Sequence, residues 1–153
     1  YYTHFTSPIR RYADLLIHRI LQHKLEKNDY PNNKSLEHQC KHISGTEKQA
    51  VDAERASVKY MQVVYLQDKV GEIFSAKING LTDWGFYVEL EESKCEGLVS
   101  MNSLDGDHYF YDQEVQKIIG HRTKETFTMG QQVQVEVYRT NLYKRQIDFL
   151  LHR

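Results

Sequence analysis

The chain has 153 residues, which is enough for one large domain or two small ones. It is 40% hydrophobic and 27% charged, with two prolines and eight glycines, and this composition excludes a disordered, collagen-like or low-complexity protein. No apolar stretch approaches the ~20 residues of a membrane-spanning helix, so we expect a soluble protein with no membrane partner. The net charge of −1, taken as a single number, does not suggest a nucleic-acid-binding protein.

The cysteines and the N-terminus bear on location. Cys40 and Cys95 are far apart and form neither a metal-binding spacing nor a disulfide framework. The polar and aromatic start of the chain does not resemble a signal peptide, so we predict a cytoplasmic location. Because the chain starts at Tyr1 and not at Met, it is predicted to be a fragment of a longer protein.

Helical periodicity dominates the chain before Val70. The apolar spacing from Ile9 to Leu21 predicts an amphipathic helix, with Ser7 as its N-cap and Pro8 in its first turn. A loop is predicted over residues 28–33, which hold Pro and Asn.

A second helical stretch follows this loop. A short helix is predicted over residues 36–43. Ser44 and Glu47 then match a capping box, which predicts that a further helix begins there and ends near Gln67.

From Val70 onward the apolar pattern has the two-residue period of β-strands. Strict alternation over residues 133–137 and 146–149 predicts half-buried strands, and turns are predicted at residues 79–80 and 129–130. Five or more short strands predict a small barrel. Lys and Arg exceed Asp and Glu by eleven to eight in residues 1–69, giving +3. They number nine against thirteen in residues 70–153, giving −4.

Two adjacent arginines, Arg10 and Arg11, lie in the run Thr6 to Tyr12 (TSPIRRY) at the start of the first predicted helix. Backbone N–H groups at a helix N-terminus and guanidinium groups together can bind a phosphate. A solvated basic turn, or an ion pair with Asp14, is the alternative interpretation.

The run Tyr2 to Arg19 resembles the C-terminal signature of the RNB catalytic domain, found in the ribonuclease II and ribonuclease R family of 3′-to-5′ exoribonucleases. Residues 46–55 resemble the long helix that closes that domain. The resemblance implies that Arg10 contacts the phosphate near the scissile bond and that Glu54 lies near the RNA 3′ end. Arg11 is implied as a weaker phosphate contact.

The resemblance also bears on the metal. Family members hold Mg²⁺ with aspartates that lie upstream of this signature. It therefore implies Mg²⁺ in the full-length enzyme, but no metal site and no RNA hydrolysis in this fragment. The implied partners are single-stranded RNA and the upstream part of the same polypeptide.

Three aromatic residues surround a glycine in the run Asp83 to Val88 (DWGFYV). Exposed aromatics on a barrel strand can stack bases, while buried ones simply fill the core, and the residue pattern leaves both interpretations open. Strict alternation would place Trp84 and Phe86 on one face and Tyr87 on the other, unless the chain bends at Gly85.

The same run resembles the aromatic motif of the S1 type of OB-fold RNA-binding domain, which residues 70–151 resemble as a whole. The resemblance implies stacking of bases on Trp84 and Tyr87, and we include Phe86 in the predicted RNA-binding set. Ser100, which stands where the family has a His, and Arg145 belong to the same predicted RNA-binding set. In the last turn, Arg145 matches a family Arg, whereas Tyr143 replaces a family Asp.

A long connection over residues 107–127 interrupts the barrel pattern and resembles a stretch of ribonuclease R proteins. It is predicted to form a hairpin packed on the side of the barrel, where Tyr109 and Tyr111 could touch RNA.

Together these features predict an α+β protein. Residues 1–69 would be the helical C-terminal end of an RNB catalytic domain, and residues 70–153 a five-stranded OB-fold β-barrel that binds single-stranded RNA. The parent enzyme would hydrolyse RNA from its 3′ end to nucleoside monophosphates. A free-standing RNA-binding module and a protein-interaction barrel are the alternatives, because OB folds bind several classes of ligand.

Overall fold

Two α-helices open the chain: α1, Tyr12–Leu25, and α2, Asn33–Gln67. The computed structural model describes residues 3–26 and 33–153, so the predicted loop over residues 28–33 falls almost entirely outside the described residues. Contacts divide the chain into two compact units, residues 1–55 and 56–153, and α2 contributes to both. The predicted domain boundary at Val70 stays a prediction. Within the described ranges, no helix is long and apolar enough to cross a membrane.

The first helix begins later than its predicted cap. Pro8 to Arg10 form a separate turn, in which the N–H groups of Arg10 and Arg11 donate to the Ser7 carbonyl oxygen. α1 then starts at Tyr12, with Arg11 at the N-cap position and no side-chain capping bond. The prediction that Ser7 caps this helix is therefore wrong.

The second helix is continuous, so the predicted capping box and the break before it are wrong. The Thr46 hydroxyl donates back to the Ile43 carbonyl oxygen (2.9 Å), which lies one turn earlier in the same helix. A Ser or Thr hydroxyl can bond within a helix as well as cap one. With α2 ending at Gln67, the predicted end of the helical region agrees with the structure.

Eight β-strands follow: β1 Ile73–Thr82, β2 Gly85–Leu90, β3 Glu96–Ser100, β4 Tyr109–Asp112, β5 Lys117–Gly120, β6 Thr126–Thr128, β7 Gln132–Asn141 and β8 Gln146–His152. Five of them close a barrel in the order β1-β2-β3-β8-β7, in which only β3 and β8 run parallel. This confirms the predicted fold class. Residues 79–80, predicted as a turn, instead lie at a bulge within β1.

The barrel interior is filled by alternate residues of its strands. Val135 and Val137 of β7 and Ile147 and Phe149 of β8 are almost completely buried, as the two-residue period predicted. The last turns of α2 cover one side of this core with Val63 and Leu66.

The long connection forms a three-stranded sheet, β4-β5-β6, and not merely a hairpin. Its inner residues Tyr109, Ile118 and Phe127 belong to the same buried cluster as the barrel core. Phe127 stacks on Phe86 of β2, with ring centroids 5.0 Å apart. This sheet is therefore anchored to the barrel by aromatic packing.

One glycine of the barrel allows a close approach of β3 and β8. A Cβ atom at Gly97 would lie 2.5 Å from both the Ile147 carbonyl oxygen and the Phe149 ring. We expect Gly97→Ala to lower the free energy of unfolding by about 1–3 kcal/mol, because either strand or ring must shift. Urea unfolding followed by circular dichroism measures this loss. Gly80→Ala is the control, because its nearest neighbour would lie at an ordinary 3.5 Å. Equal losses in both variants would contradict the argument.

Candidate nucleic-acid interface

The loop between β1 and β2 presents Trp84 to solvent, with 63% of its surface exposed. The next residue, Gly85, has φ of +148°, and a Cβ atom there would collide with the Val99 carbonyl oxygen. Only glycine fits this position. The chain therefore turns at Gly85, and strict alternation does not hold across it.

Phe86 follows this turn and points into the barrel. Its side chain has no exposed surface and stacks on Phe127. This corrects the prediction that Phe86 binds RNA, because a base cannot reach a fully buried ring. Phe86 supports the core, while Trp84 and Tyr87 on either side of it remain exposed.

Tyr87 lies on the outer face of β2, with 40% of its surface exposed. Gly80 is its partner on β1, and a Cβ atom at that glycine would lie 3.5 Å from the Tyr87 side chain. On the other side Tyr87 is paired with Leu98 of β3, which is half-buried. The small and apolar neighbours leave the tyrosine ring as the prominent feature of this face.

The same outward row continues across β8 and β7 with an ion pair that the sequence did not predict. Leu98 is paired with Asp148, and the Asp148 carboxylate accepts a hydrogen bond from Arg139 Nε (2.5 Å). Alternation from Val137 would place Arg139 inside the barrel. A bulge between these two residues turns Arg139 outward, and no signal in the apolar pattern marks that bulge.

A groove of about 420 Å³ brings Trp84 and Ser100 together. One turn of 3₁₀ helix, Met101–Ser103, forms part of its wall, and the Met101 N–H donates to the Trp84 carbonyl oxygen (2.8 Å). Ser103 Oγ donates to the Ser100 carbonyl oxygen (2.7 Å). Trp84 and Ser100 thus line one depression, which these hydrogen bonds help to shape and whose size suits a small ligand.

Arg145 lies in the turn between β7 and β8 and is exposed. Its φ is +52°, and its N–H donates to the Leu142 carbonyl oxygen. Tyr143, in the same turn, is fully exposed. In OB folds this loop and the β1–β2 loop flank the ligand-binding face. Arg145 therefore lies at an edge of that face, on a different loop from Trp84.

A single carboxylate, Asp107, holds the β5–β6 connection in place. It accepts hydrogen bonds from the Thr123 N–H (2.6 Å), the Thr123 hydroxyl and the Arg122 N–H, and its other oxygen accepts the His108 N–H. These donors, the Thr123 N–H above all, hold the pKa of Asp107 well below its usual range. The shape of this surface therefore depends on Asp107 being charged.

Acid is expected to remove this contribution. A carboxyl group with a lowered pKa in the folded state stabilises the fold above its unfolded pKa of about 3.9 and loses that effect as the pH falls further. We expect Asp107→Asn to lower the Tm by several degrees at pH 7, and the difference from the unaltered protein to shrink below about pH 4. Thermal unfolding at pH 7, 5, 4 and 3 tests this. A difference that is independent of pH would contradict it.

In the first unit, Arg10 and Arg11 have different surroundings. Arg10 is exposed, whereas the Arg11 guanidinium is paired with Asp14 (2.9 Å), so the ion-pair alternative holds for Arg11. Burial alone would raise the pKa of Asp14, but the Ser7 N–H and Arg11 outweigh burial and hold that pKa below its usual value. Asp14 thus ties the Ser7 to Arg11 turn to the first turn of α1.

Both arginines line a cavity of about 830 Å³ within the first unit, together with His38, His42 and Glu47. Glu54 is exposed on α2 but is not among the residues that line this cavity. Over residues 3–26 and 33–153, no group of three or more His, Cys, Asp or Glu side chains could hold a metal ion. These residues do not fit a Mg²⁺ site.

The chain is similar to known proteins in both sequence and structure. Ribonuclease R of Aquifex aeolicus is 38% identical over 99% of this chain, and that of Thermotoga maritima is 39% identical over 98%. Each alignment covers 22% of the relative, so the chain spans about a fifth of their length. The structure of Mycoplasma genitalium RNase R in complex with ribose methylated single-stranded RNA has a TM-score of 0.88 and 26% identity, over 99% of this chain and 24% of that one.

Two families match the chain directly. The RNB domain matches residues 1–27, in agreement with the resemblance of the Tyr2 to Arg19 run. The S1 RNA binding domain matches residues 67–151, which contain the whole barrel except its last strand residue. Because this match covers more than half of the chain and the strands close the expected barrel, the chain belongs to the S1 RNA-binding domain family.

Proposed function

We propose that this chain is part of a 3′-to-5′ exoribonuclease of the ribonuclease R type, and that its barrel holds the single-stranded RNA substrate. The parent enzyme would release nucleoside monophosphates. The observation that carries the proposal is the exposure of Trp84 and Tyr87 on an S1 barrel while Phe86 between them is buried. The similarity to ribonuclease R over almost the whole chain supports the reaction type.

Stacking is the main source of RNA affinity in this proposal. The barrel half has an excess of acidic residues, so general electrostatic attraction cannot provide the affinity. Each base stacked on an aromatic ring contributes about 1–3 kcal/mol without requiring a particular base sequence. Arg145 and Arg139 would add individual contacts to phosphates, and Ser100 a hydrogen bond beside Trp84.

The helical unit would contribute to the catalytic domain. In this proposal Arg10 contacts the phosphate near the scissile bond, and Glu54 lies near the 3′-terminal nucleotide. The role of Arg11 is to hold the preceding turn through Asp14, which its 2.9 Å ion pair supports. Mg²⁺ and the carboxylates that bind it belong to the remaining part of the same polypeptide, which acts in the cytoplasm.

Binding of labelled oligo(A) to the purified chain, followed by fluorescence anisotropy, tests the barrel's role. We expect binding at 50 mM salt that weakens only modestly at 200 mM, because few phosphate contacts contribute. The acidic barrel also suits a protein-interaction module, whose partner would be basic. Absence of oligo(A) binding at low salt would contradict the proposal and favour that module.

A separate assay tests the assignment of catalysis to the whole polypeptide. The chain incubated with Mg²⁺ and 5′-labelled single-stranded RNA is expected to leave the RNA intact, because the described residues hold no metal-binding group. The comparison is a full-length ribonuclease R under the same conditions. Progressive shortening of the RNA by this chain alone would contradict the assignment of catalysis to the whole polypeptide.

A further inference from the structure

Two grooves on the barrel unit share residues and form one path. The first is the groove of about 420 Å³ that contains Trp84 and Ser100. The second, of about 640 Å³, contains His121 and Arg122 from the β5–β6 connection. Asp107 and His108 line both grooves. The path therefore leads from the aromatic loop of the barrel to the edge of the β4-β5-β6 sheet.

This path is held in shape by hydrogen bonds between two chain segments. The Arg122 guanidinium donates to the Gly106 carbonyl oxygen (2.8 Å), and the His121 N–H donates to the His108 carbonyl oxygen (2.8 Å). The Asp107 carboxylate adds its bonds to residues 122 and 123. Because these hydrogen bonds hold the walls of the path together, binding of a ligand would cost little entropy for ordering of the protein.

The lining of the path suits a nucleotide chain. Leu104 and Tyr109 provide a buried apolar base beneath the first groove. Exposed His108, His121 and Arg122 provide ring surfaces and a cation along the second. Imidazole and guanidinium groups stack on bases, and guanidinium also binds phosphate. Four donors already surround the Asp107 carboxylate, which lessens its repulsion of a phosphate.

We propose that single-stranded RNA bound at Trp84 continues along this path, with a phosphate at Arg122 and bases against His108 and His121. The β4-β5-β6 sheet thereby lengthens the RNA site beyond the barrel face. This inference rests on the proposed function of the barrel, and it adds a contact surface that the S1 barrel strands do not provide.

The test compares the binding of four-nucleotide and ten-nucleotide oligo(A). We expect Arg122→Glu to weaken binding of the ten-nucleotide RNA by about tenfold and to change binding of the four-nucleotide RNA by less than about twofold. Lys117→Glu is the matched control, because it makes the same charge change at the other end of β5. There Lys117 lies opposite Asp112 of the neighbouring strand β4. The control should affect neither RNA.

The outcomes separate this inference from the proposed function. If the unaltered chain binds neither RNA, both are wrong. If it binds RNA but Arg122→Glu and Lys117→Glu have equal effects, only the longer path is wrong. Arg122→Gln provides a second measurement, since loss of one phosphate contact should reduce the salt-dependence slope for the ten-nucleotide RNA by about 0.7. The bond from residue 122 to Asp107 uses the main-chain N–H, so each variant retains it, whereas the side-chain bond to the Gly106 carbonyl oxygen is lost in both, and circular dichroism checks the fold.

Discussion

Replacement of Trp84 by alanine is expected to weaken binding of single-stranded RNA by about 1–3 kcal/mol, roughly 5- to 150-fold in Kd, and the same holds for Tyr87→Ala. Both rings are exposed on the S1 barrel, and neither is needed to fill the core. Fluorescence anisotropy with labelled oligo(A) measures the loss. The Tm of each variant should remain within a few degrees of the Tm of the unaltered chain.

The control for this prediction is Tyr65→Ala. Tyr65 is an exposed aromatic on α2, with 49% of its surface accessible, and it lies on none of the strands or loops of the ligand face. Its replacement should leave the affinity for RNA unchanged. If Tyr65→Ala weakens binding as much as Trp84→Ala does, RNA is not held by stacking at the β1–β2 loop.

The largest expected effect on stability is that of Phe127→Ala. Phe127 is 2% exposed and contacts both Phe86 of the barrel and Tyr109 of β4, with ring centroids 5.0 and 5.7 Å away. Removing a buried phenylalanine ring leaves a cavity and is expected to cost about 3–5 kcal/mol in the free energy of unfolding. Urea unfolding followed by circular dichroism measures this cost.

Phe110→Ala is the matched control on the same sheet. Phe110 is adjacent to Tyr109 on β4, but 46% of its surface is exposed, so we expect a loss below about 1 kcal/mol. Similar losses for Phe110 and Phe127 would show that the β4-β5-β6 sheet is not anchored through its inner face.

The strands of the barrel are the part of the fold that local pattern predicts well. Alternation at Val133, Val135 and Val137 identified β7 and its inner face, because a strand with one buried face must place apolar residues two apart. The same pattern does not predict the bulge before Arg139, because a bulge depends on how the neighbouring strand is paired.

Helix boundaries were less predictable. Ser44 and Glu47 have the spacing of a capping box, but the same residues also fit a helix interior, and α2 continues through them. Likewise Ser7 has the chemistry of a cap, yet Asp14 binds its N–H and the helix starts after Arg11. Local residue types allow both outcomes, so they do not by themselves determine where a helix begins.

The residue pattern alone indicated a small barrel after a helical segment, because strand and helix periods are local properties of the chain. The resemblance of the aromatic motif and of the TSPIRRY run then indicated the S1 and RNB families. Tertiary structure was needed to decide which aromatic side chains are exposed and which pack in the core. A positive φ at Gly85 exposes Trp84 and buries Phe86, which alternation would place together. The tertiary structure also brings His108 close to His121 and Arg122, because the Asp107 carboxylate binds a segment that is distant in sequence.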